Sequence, residues 1–595
     1  MDRMIEGRPD PLELEHLFGD PNATVGEFTH STIVTADTAR RMVPWAERVL
    51  EDWGFGAELV PRRLGGRWGS TEDLVRRFLP IFRRDPALGL GHGITTLMAA
   101  VNVWVAGDDA AQRKLADRLF LGERVAVCFH ELEHGNDLLM NECTAVRVEE
   151  PGQGWRINGR KEVINNIHRA ESALLFVRTA RDIGPRSFSL LLWNKTETVS
   201  GAADTSRRVL TSGMRGCNIG VASFHDLVVS ESSLIGSEGQ GTATALAAFQ
   251  VTRAVIPALA TGTVDAALRL AVPYMRGRAL YGATVWDLPH ARLTLVRAWS
   301  SLLIADALAR AGVRALHIRP DECFLISAAT KYIVPVLLND AMQELSVLLG
   351  SSFYAVTSPF GIVEKWLRDL IVVPIGHAGS SACLATLIPN LPAWARRVRR
   401  PAPYESGLFA AESELDDIVF SGFGLGAGRV DSMTASLRSG EIATAFQTAH
   451  PALAPLIDRW RDELVSLRDA AAALSPSSLG ADAPPEVFTL ARRLARLMAA
   501  GALLGTWYEG RTERDSPFRR SESAITMALQ RLDELLDPRE HGAPPGAVAG
   551  IPPWADDDVD AAANAIAAAV DAALSLGVEE RPVVWSPPVQ PEVIK

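Results

Sequence analysis

From Thr38 to Phe120 apolar positions recur at helical spacing. They run through RRMVPWAERVLEDW, STEDLVRRFLPIFRRD, the small-residue run GHGITTLMAAVNVWVAG and DDAAQRKLADRLF. Ser70, with Asp73 three residues on, predicts a helix N-cap and an acidic first turn. Gly65, Gly66 and Gly69 mark a loop between helices, and residues 1–36 read as a loose N-terminal arm. From Glu123 the texture changes. VAVCF, TAVRVEE, GWRINGRKEVI, SALLFVRTA, SFSLLLW, RRVL and VASFHDLVV are short, β-rich and separated by turns. They predict a compact β domain of roughly 110 residues. The glycine-rich turn GSEGQG then hands over to a long helical pattern from Thr242, which carries Arg253, Arg276 and Arg278 and holds to about Arg400. A basic, proline-containing break, RRVRRPAP at Arg396–Pro403, precedes further helical runs in 404–595, joined by the Pro/Gly-rich segments SPSSLGADAPP and PREHGAPPGAVAGIPPW. The predicted domains are 1–122 (helical), 123–238 (β), 239–400 (helical bundle) and 401–595 (additional helical), an α+β chain overall.

Charge narrows the partners. The net charge of -11 argues against broad nucleic-acid or anionic-membrane binding, while leaving room for a local basic pocket that takes a phosphate-bearing ligand. RRVRR, the densest basic cluster, reads as a solvated helix face or linker. The uncharged runs Leu345–Val363 and Leu370–Trp394 are broken by Gly, Ser and Pro and read as buried core rather than membrane spans. Five cysteines, none in a CxxC pair, and a charged N-terminus without an apolar core point to free thiols in a cytoplasmic protein. HELEH at 130–134 mimics a zinc-binding HExxH, but it falls between a strand and a glycine turn, so no metal site is expected.

Several segments in this order resemble the acyl-CoA dehydrogenase and acyl-CoA oxidase superfamily. VAVCFHELEHGND resembles the family's segment ending in TEPxxGSD, and GWRINGRKEVINN its GxxxNGxKxWITN strand. GMRGCNIGVASFHDLVVSESSLIGSEGQG resembles the exit from its β domain. RALYG resembles RxxFG, AMQELSVLLGSSFY resembles QxxGGxG, and VEKWLRD resembles EKxxRD. The match covers about residues 40–395. The resemblance implies an N-terminal helical domain, a middle β-barrel or sandwich and a C-terminal four-helix bundle enclosing FAD. The extra helical region beyond residue 400 is like that of the longer acyl-CoA oxidases.

The resemblance also implies roles. Phe129, His130 and Asn136 would lie against the flavin, with His130 and Asn136 at the family's Thr and Ser positions. Val163 replaces the family's Trp, and Asn165 its Thr, where it could donate to the ring. Arg278 and Tyr281 match the RxxFG pair, whose arginine reaches the FAD pyrophosphate across a subunit interface, and Gln343 stands at the place of the ADP-contacting Gln. Arg253 matches the bundle arginine near the acyl-CoA site. The family's base is a Glu, and neither of its usual places holds one: counting from Arg368–Asp369 puts His377 at the first, and Thr252 stands at the second. An imidazole can take a proton near neutral pH, so His377 is the candidate base.

Three functions follow. The first is FAD-dependent desaturation of an acyl thioester on CoA or a carrier protein, with oxygen or a flavoprotein as electron acceptor. The second is a flavin-dependent monooxygenase on the same fold. The third is a non-catalytic subunit completing a homologous partner's site. A homodimer is expected, since the long C-terminal region can occupy the surface through which shorter members form tetramers.

Overall fold

The computed structural model describes residues 13–148, 154–197, 201–376, 378–400, 403–411, 413–480, 482–511, 522–534 and 556–575. From residue 13 the expected loose arm is instead packed. Helices Glu13–Phe18 and His30–Thr38 bury Leu14, Phe18, Phe28 and Ile33. The Phe18 and Phe28 rings meet edge-on at 5.0 Å. The Arg84 guanidinium lies 5.8 Å from each ring and donates to the Phe28 carbonyl, an anchor 56 residues away that local composition does not reveal. The Ser70 cap forms as expected: its hydroxyl accepts from the Asp73 amide and opens helix Thr71–Arg84, with Glu72 and Asp73 in the first turn.

The middle domain is one mixed eight-stranded sheet of β1 (Val125–Cys128), β2 (Thr144–Arg147), β3 (Trp155–Asn165), β4 (Ser172–Arg178), β5 (Phe188–Asn194), β6 (Ala203–Asp204), β7 (Ile219–Val229) and β8 (Leu234–Ile235). Its order is β6-β7-β3-β2-β4-β5-β8, with β1 parallel to β4. The expected strand at RRVL is only an isolated bridge from Arg208 to Gly220. Antiparallel β3 and β7 shift register between Ile157 and Gly159 and again between Glu162 and Ile164. At the second shift Val163 takes φ +57°, a strained conformation for a β-branched residue.

Three long helices, Gly241–Gly277, Pro289–Ile318 and Cys323–Leu349, pack with Ser380–Leu387 as the bundle, and the following helix Leu391–Val398 packs instead against Ala454–Ala472 of the C-terminal region. The first and third end at the same pole, where the Tyr274 hydroxyl donates to the Leu349 carbonyl. By length and composition both could cross a bilayer, but their apolar windows are 89% and 78% buried inside the protein. They are core helices.

The second bundle helix is covered by the C-terminal helices Pro485–Gly510, Glu522–Glu534 and Asp556–Ser575. Arg531 donates to Ser301, and Arg292 pairs with Asp560 at 2.7 Å. The two uncharged runs expected to be core are only partly so: Val347 is 75% and Tyr354 82% exposed, and Ile371 and Ile375 are also exposed.

Candidate functional site

The bundle loop after Ile371 is pinned on both sides of position 377. The Gly376 amide donates to the Val372 carbonyl at 2.7 Å, and Ser380 Oγ donates to the Pro374 carbonyl. Ala378 is buried at φ +58°, and its carbonyl accepts from Cys383 Sγ. His377 itself lies outside the described residues.

Beneath this loop sit two fully buried cations. Lys331 Nζ donates to the Val373 carbonyl at 2.7 Å, and burial lowers the ammonium to about 8. Arg253 lies over the Phe249 ring, with its centre 5.6 Å from the ring centroid, and reaches Thr386 Oγ1 at 3.4 Å. Burial lowers the guanidinium below its ordinary value, and its Nε has no hydrogen-bond partner. Among the described residues neither cation has a carboxylate within ion-pair distance. Such burial is costly unless something else supplies the negative charge. Cys383 lies between them electrostatically, but burial raises its thiol, so it is neutral. Lys331 escaped the sequence reading. It is the sole charge between Glu322 and Asp340, and a lone lysine in an apolar helical run is the signal that could have found it.

The β domain reaches the same loop. Asn136 is exposed, and its Nδ2 lies 3.1 Å from where a Cβ on Gly379 would sit. Its side chain makes no hydrogen bond among the described residues. His130 Nδ1 lies 3.1 Å from the Glu162 carbonyl, tying the 129–137 turn to β3. Phe129 is core, packed on Phe176 and on Phe249 of the first bundle helix. Asn165 uses its amide hydrogens inward, on the Leu90 carbonyl and Thr95 Oγ1, so the expected donation from it gives way to an acceptor: its Oδ1 is buried without a partner, as is that of Asn166.

The EKxxRD segment fastens the three domains around this point. Lys365 Nζ contacts Asp85 of the N-terminal domain and Asp369, both at 2.6 Å. Burial opposes its charge, but the two carboxylates outweigh that and hold the ammonium above its usual range. Asp369 accepts from the Met214 amide in the β-domain loop that precedes β7, and Arg368 reaches Asp37 and the Ser212 carbonyl.

The remaining expected residues lie elsewhere. Arg278 ends the first bundle helix, exposed and without a hydrogen bond from its guanidinium among the described residues. Tyr281 and Gly282, at φ +55° and +82°, form the two-residue turn of a short hairpin, and Tyr281 is 93% exposed. Gln343 is exposed on the third bundle helix near the same pole. Helical rise places Arg278 roughly 37 Å along the helix from Arg253. One chain therefore does not bring the two groups together.

The comparisons agree with this layout. Residues 239–389 match the family model of the acyl-CoA dehydrogenase C-terminal domain. The mitochondrial isovaleryl-CoA dehydrogenase of Solanum tuberosum is 24% identical over 308 residues, which span 51% of this chain and 71% of the relative. The 3-sulfinopropanoyl-CoA desulfinase of Advenella mimigardefordensis is 24% identical over 371 residues, spanning 60% of this chain and 88% of its own. The solved structure of the prolyl acyl carrier protein oxidase AnaB superposes with a TM-score of 0.53 at 18% identity, covering 63% of this chain and 95% of that one. The family model, the curated relatives and the solved structures together support a likeness of this chain to the acyl-CoA dehydrogenase superfamily.

Proposed function

We propose that the protein is an FAD-dependent oxidoreductase that introduces an α,β-double bond into an acyl thioester carried on CoA or a carrier protein. The observation that carries this reading is the meeting of Asn136 from the β domain with Gly379 of the bundle loop, above Arg253 and Lys331. The residues fit FAD in kind. Asn136 offers an uncommitted amide, Asn165 and Asn166 offer buried unpartnered acceptors, and Arg278 offers a free guanidinium fork suited to a pyrophosphate. His130, Asn136 and Asn165 would hold the ring end. Arg278, Tyr281 and Gln343 of a second copy would hold the pyrophosphate and adenosine, so the working unit is a homodimer. The exposed apolar Tyr281, Val347 and Tyr354 near that pole are the surface it would cover.

When bound, FAD supplies the two-electron acceptor for the β-hydrogen. The chain's own residues handle the proton and the charge. His377 takes the α-proton on an imidazole nitrogen, in a loop that Gly376, Ala378 and Ser380 hold in place. The buried positive potential of Arg253 and Lys331 favours negative charge developing on the substrate.

A second reading, a non-catalytic subunit completing a homologous partner's site, is favoured by the absence of any carboxylate from Leu370–Trp394. The absorption spectrum of the purified protein, with an acyl-CoA desaturation assay, separates the two. Bound oxidised flavin with turnover supports the first reading; failure to retain FAD after reconstitution overturns it.

A further inference from the structure

The basic break at the end of the bundle is not a featureless linker. Arg396, Arg397 and Arg400 at the C-terminal end of helix Leu391–Val398 face Gly428 and Arg429 from the next domain across a cavity of about 370 Å3, with Ala393 completing the wall. Four guanidiniums line it, and no carboxylate does. Among the described residues none of the four donates a side-chain hydrogen bond to the protein, and Arg397 Nη1 is buried without any partner. A buried guanidinium nitrogen left unpaired is costly and marks a place where an acceptor belongs.

The pocket is built rather than incidental. Gly428 takes φ +77°, and a Cβ there would come within 2.6 Å of the Glu322 side chain and 2.8 Å of the Asp321 carbonyl, so only glycine lets the loop sit this close. The Arg429 amide then donates to Asp321. The two nearby acids are otherwise engaged: Asp321 with Arg319, and Glu322 with Arg319 and with both the amide and hydroxyl of Ser432. The helix end would repel an anion through its carbonyls. However, Arg438 caps the Val398 and Arg400 carbonyls at 3.3 and 3.1 Å and removes much of that opposition. Burial and the neighbouring Arg396 and Arg400 lower the Arg397 guanidinium below its ordinary value, outweighing the opposing pull of Glu322 and Asp321.

We propose that this pocket is a second anion site that binds a phosphate-bearing small molecule through its di- or triphosphate group. Four clustered guanidiniums match the charge of an oligophosphate, and planar forks suit its oxygens. The concave shape and modest volume favour a small ligand over the flat acidic face of a protein. The site lies beside the N-terminus of the third bundle helix, the pole opposite Arg278 and Gln343, so it is separate from the residues assigned to FAD.

Calorimetric titration of the FAD-saturated full chain with pyrophosphate tests this. Binding is expected in the range of about 10–100 µM. Arg397→Ala/Arg429→Ala should weaken it by at least about tenfold, and the exposed pair Arg396→Ala/Arg400→Ala, which should not disturb folding, should weaken it similarly. Arg278→Ala should leave it unchanged. The proposal is overturned if pyrophosphate binds no tighter than about 1 mM, if binding survives both double variants, or if it is lost in Arg278→Ala. Tighter binding of a polyglutamate peptide than of pyrophosphate would also overturn it, in favour of an acidic protein partner.

Discussion

The first bundle helix carries an arginine in two opposite situations. Arg253 is buried, lies against Phe249 and Thr386, and shares its surroundings with Lys331. Arg278 projects from the far end into solvent, beside the exposed Tyr281. Neither has a carboxylate partner among the described residues, for opposite reasons. Solvent meets the needs of Arg278, whereas Arg253, buried against Phe249 and Thr386, has no compensating negative charge among the described residues. On the proposed function the inner end is a site one copy completes, and the outer end is half of a site that takes another copy.

Removing the proposed base should produce the largest effect. His377→Ala is expected to lower turnover by about 10²–10⁴ while the flavin spectrum persists; unchanged turnover removes His377 from the mechanism. Next is the outer end. Arg278→Ala should release FAD during gel filtration, with its affinity down by about 10-fold or more. Mixing the two variants, at an FAD concentration too low to load Arg278→Ala by itself, is sharper. If FAD is shared across a dimer, each mixed dimer has one intact site, and random exchange should restore about a quarter of wild-type activity. No recovery after proven subunit exchange would put Arg278 and His377 to work within one copy and dissolve the contrast. A smaller effect is expected from Arg253→Met: KM for the acyl thioester should rise, or kcat fall, by roughly tenfold, without loss of FAD.

Local chemistry was legible in the sequence where it decided structure locally. The Ser70 cap, the GSEGQG turn with Gly236 and Gly239 at positive φ, and the handover into the first bundle helix need only neighbours within a few residues. Features that depend on distant partners were not. The N-terminal segment looks loose until Arg84 arrives to hold Phe18 and Phe28. Leu345–Val363 is apolar, but apolarity does not say what covers it, and Val347 and Tyr354 stand exposed. RRVRR reads as a solvated face because Arg429, which closes the pocket, follows 29 residues after Arg400. Lys331 passed unnoticed because its meaning lies in the missing acid, which only packing reveals.

The smallest effect tests whether the inner cation is as isolated as its contacts imply. Burial lowers Lys331 from 10.5 in the unfolded chain to about 8 in the folded one. Between those values the unfolded chain holds a proton that the folded chain has shed, so Lys331 makes stability rise with pH across the window, by at most about 1.4 kcal/mol per pH unit. Below about 8 both states are protonated and the full cost of burying the charge is present. Lys331→Met removes that slope. Its absolute stability at neutral pH should change little, because relief from the buried charge is offset by leaving the Val373 carbonyl unpaired. Asp306, raised by burial to about 7, acts in the opposite sense. The folded chain keeps its proton up to about 7 while the unfolded chain loses it near 3.8, so stability falls as pH rises through that window. Asp306→Asn should flatten that fall, whereas Lys331→Met should flatten the rise. Denaturant midpoints of the three proteins between pH 5 and pH 10 decide it. A Lys331→Met curve parallel to wild type above pH 8 would mean that the ammonium already has a counter-charge, and that the inner end is no more in need of a ligand than the outer one.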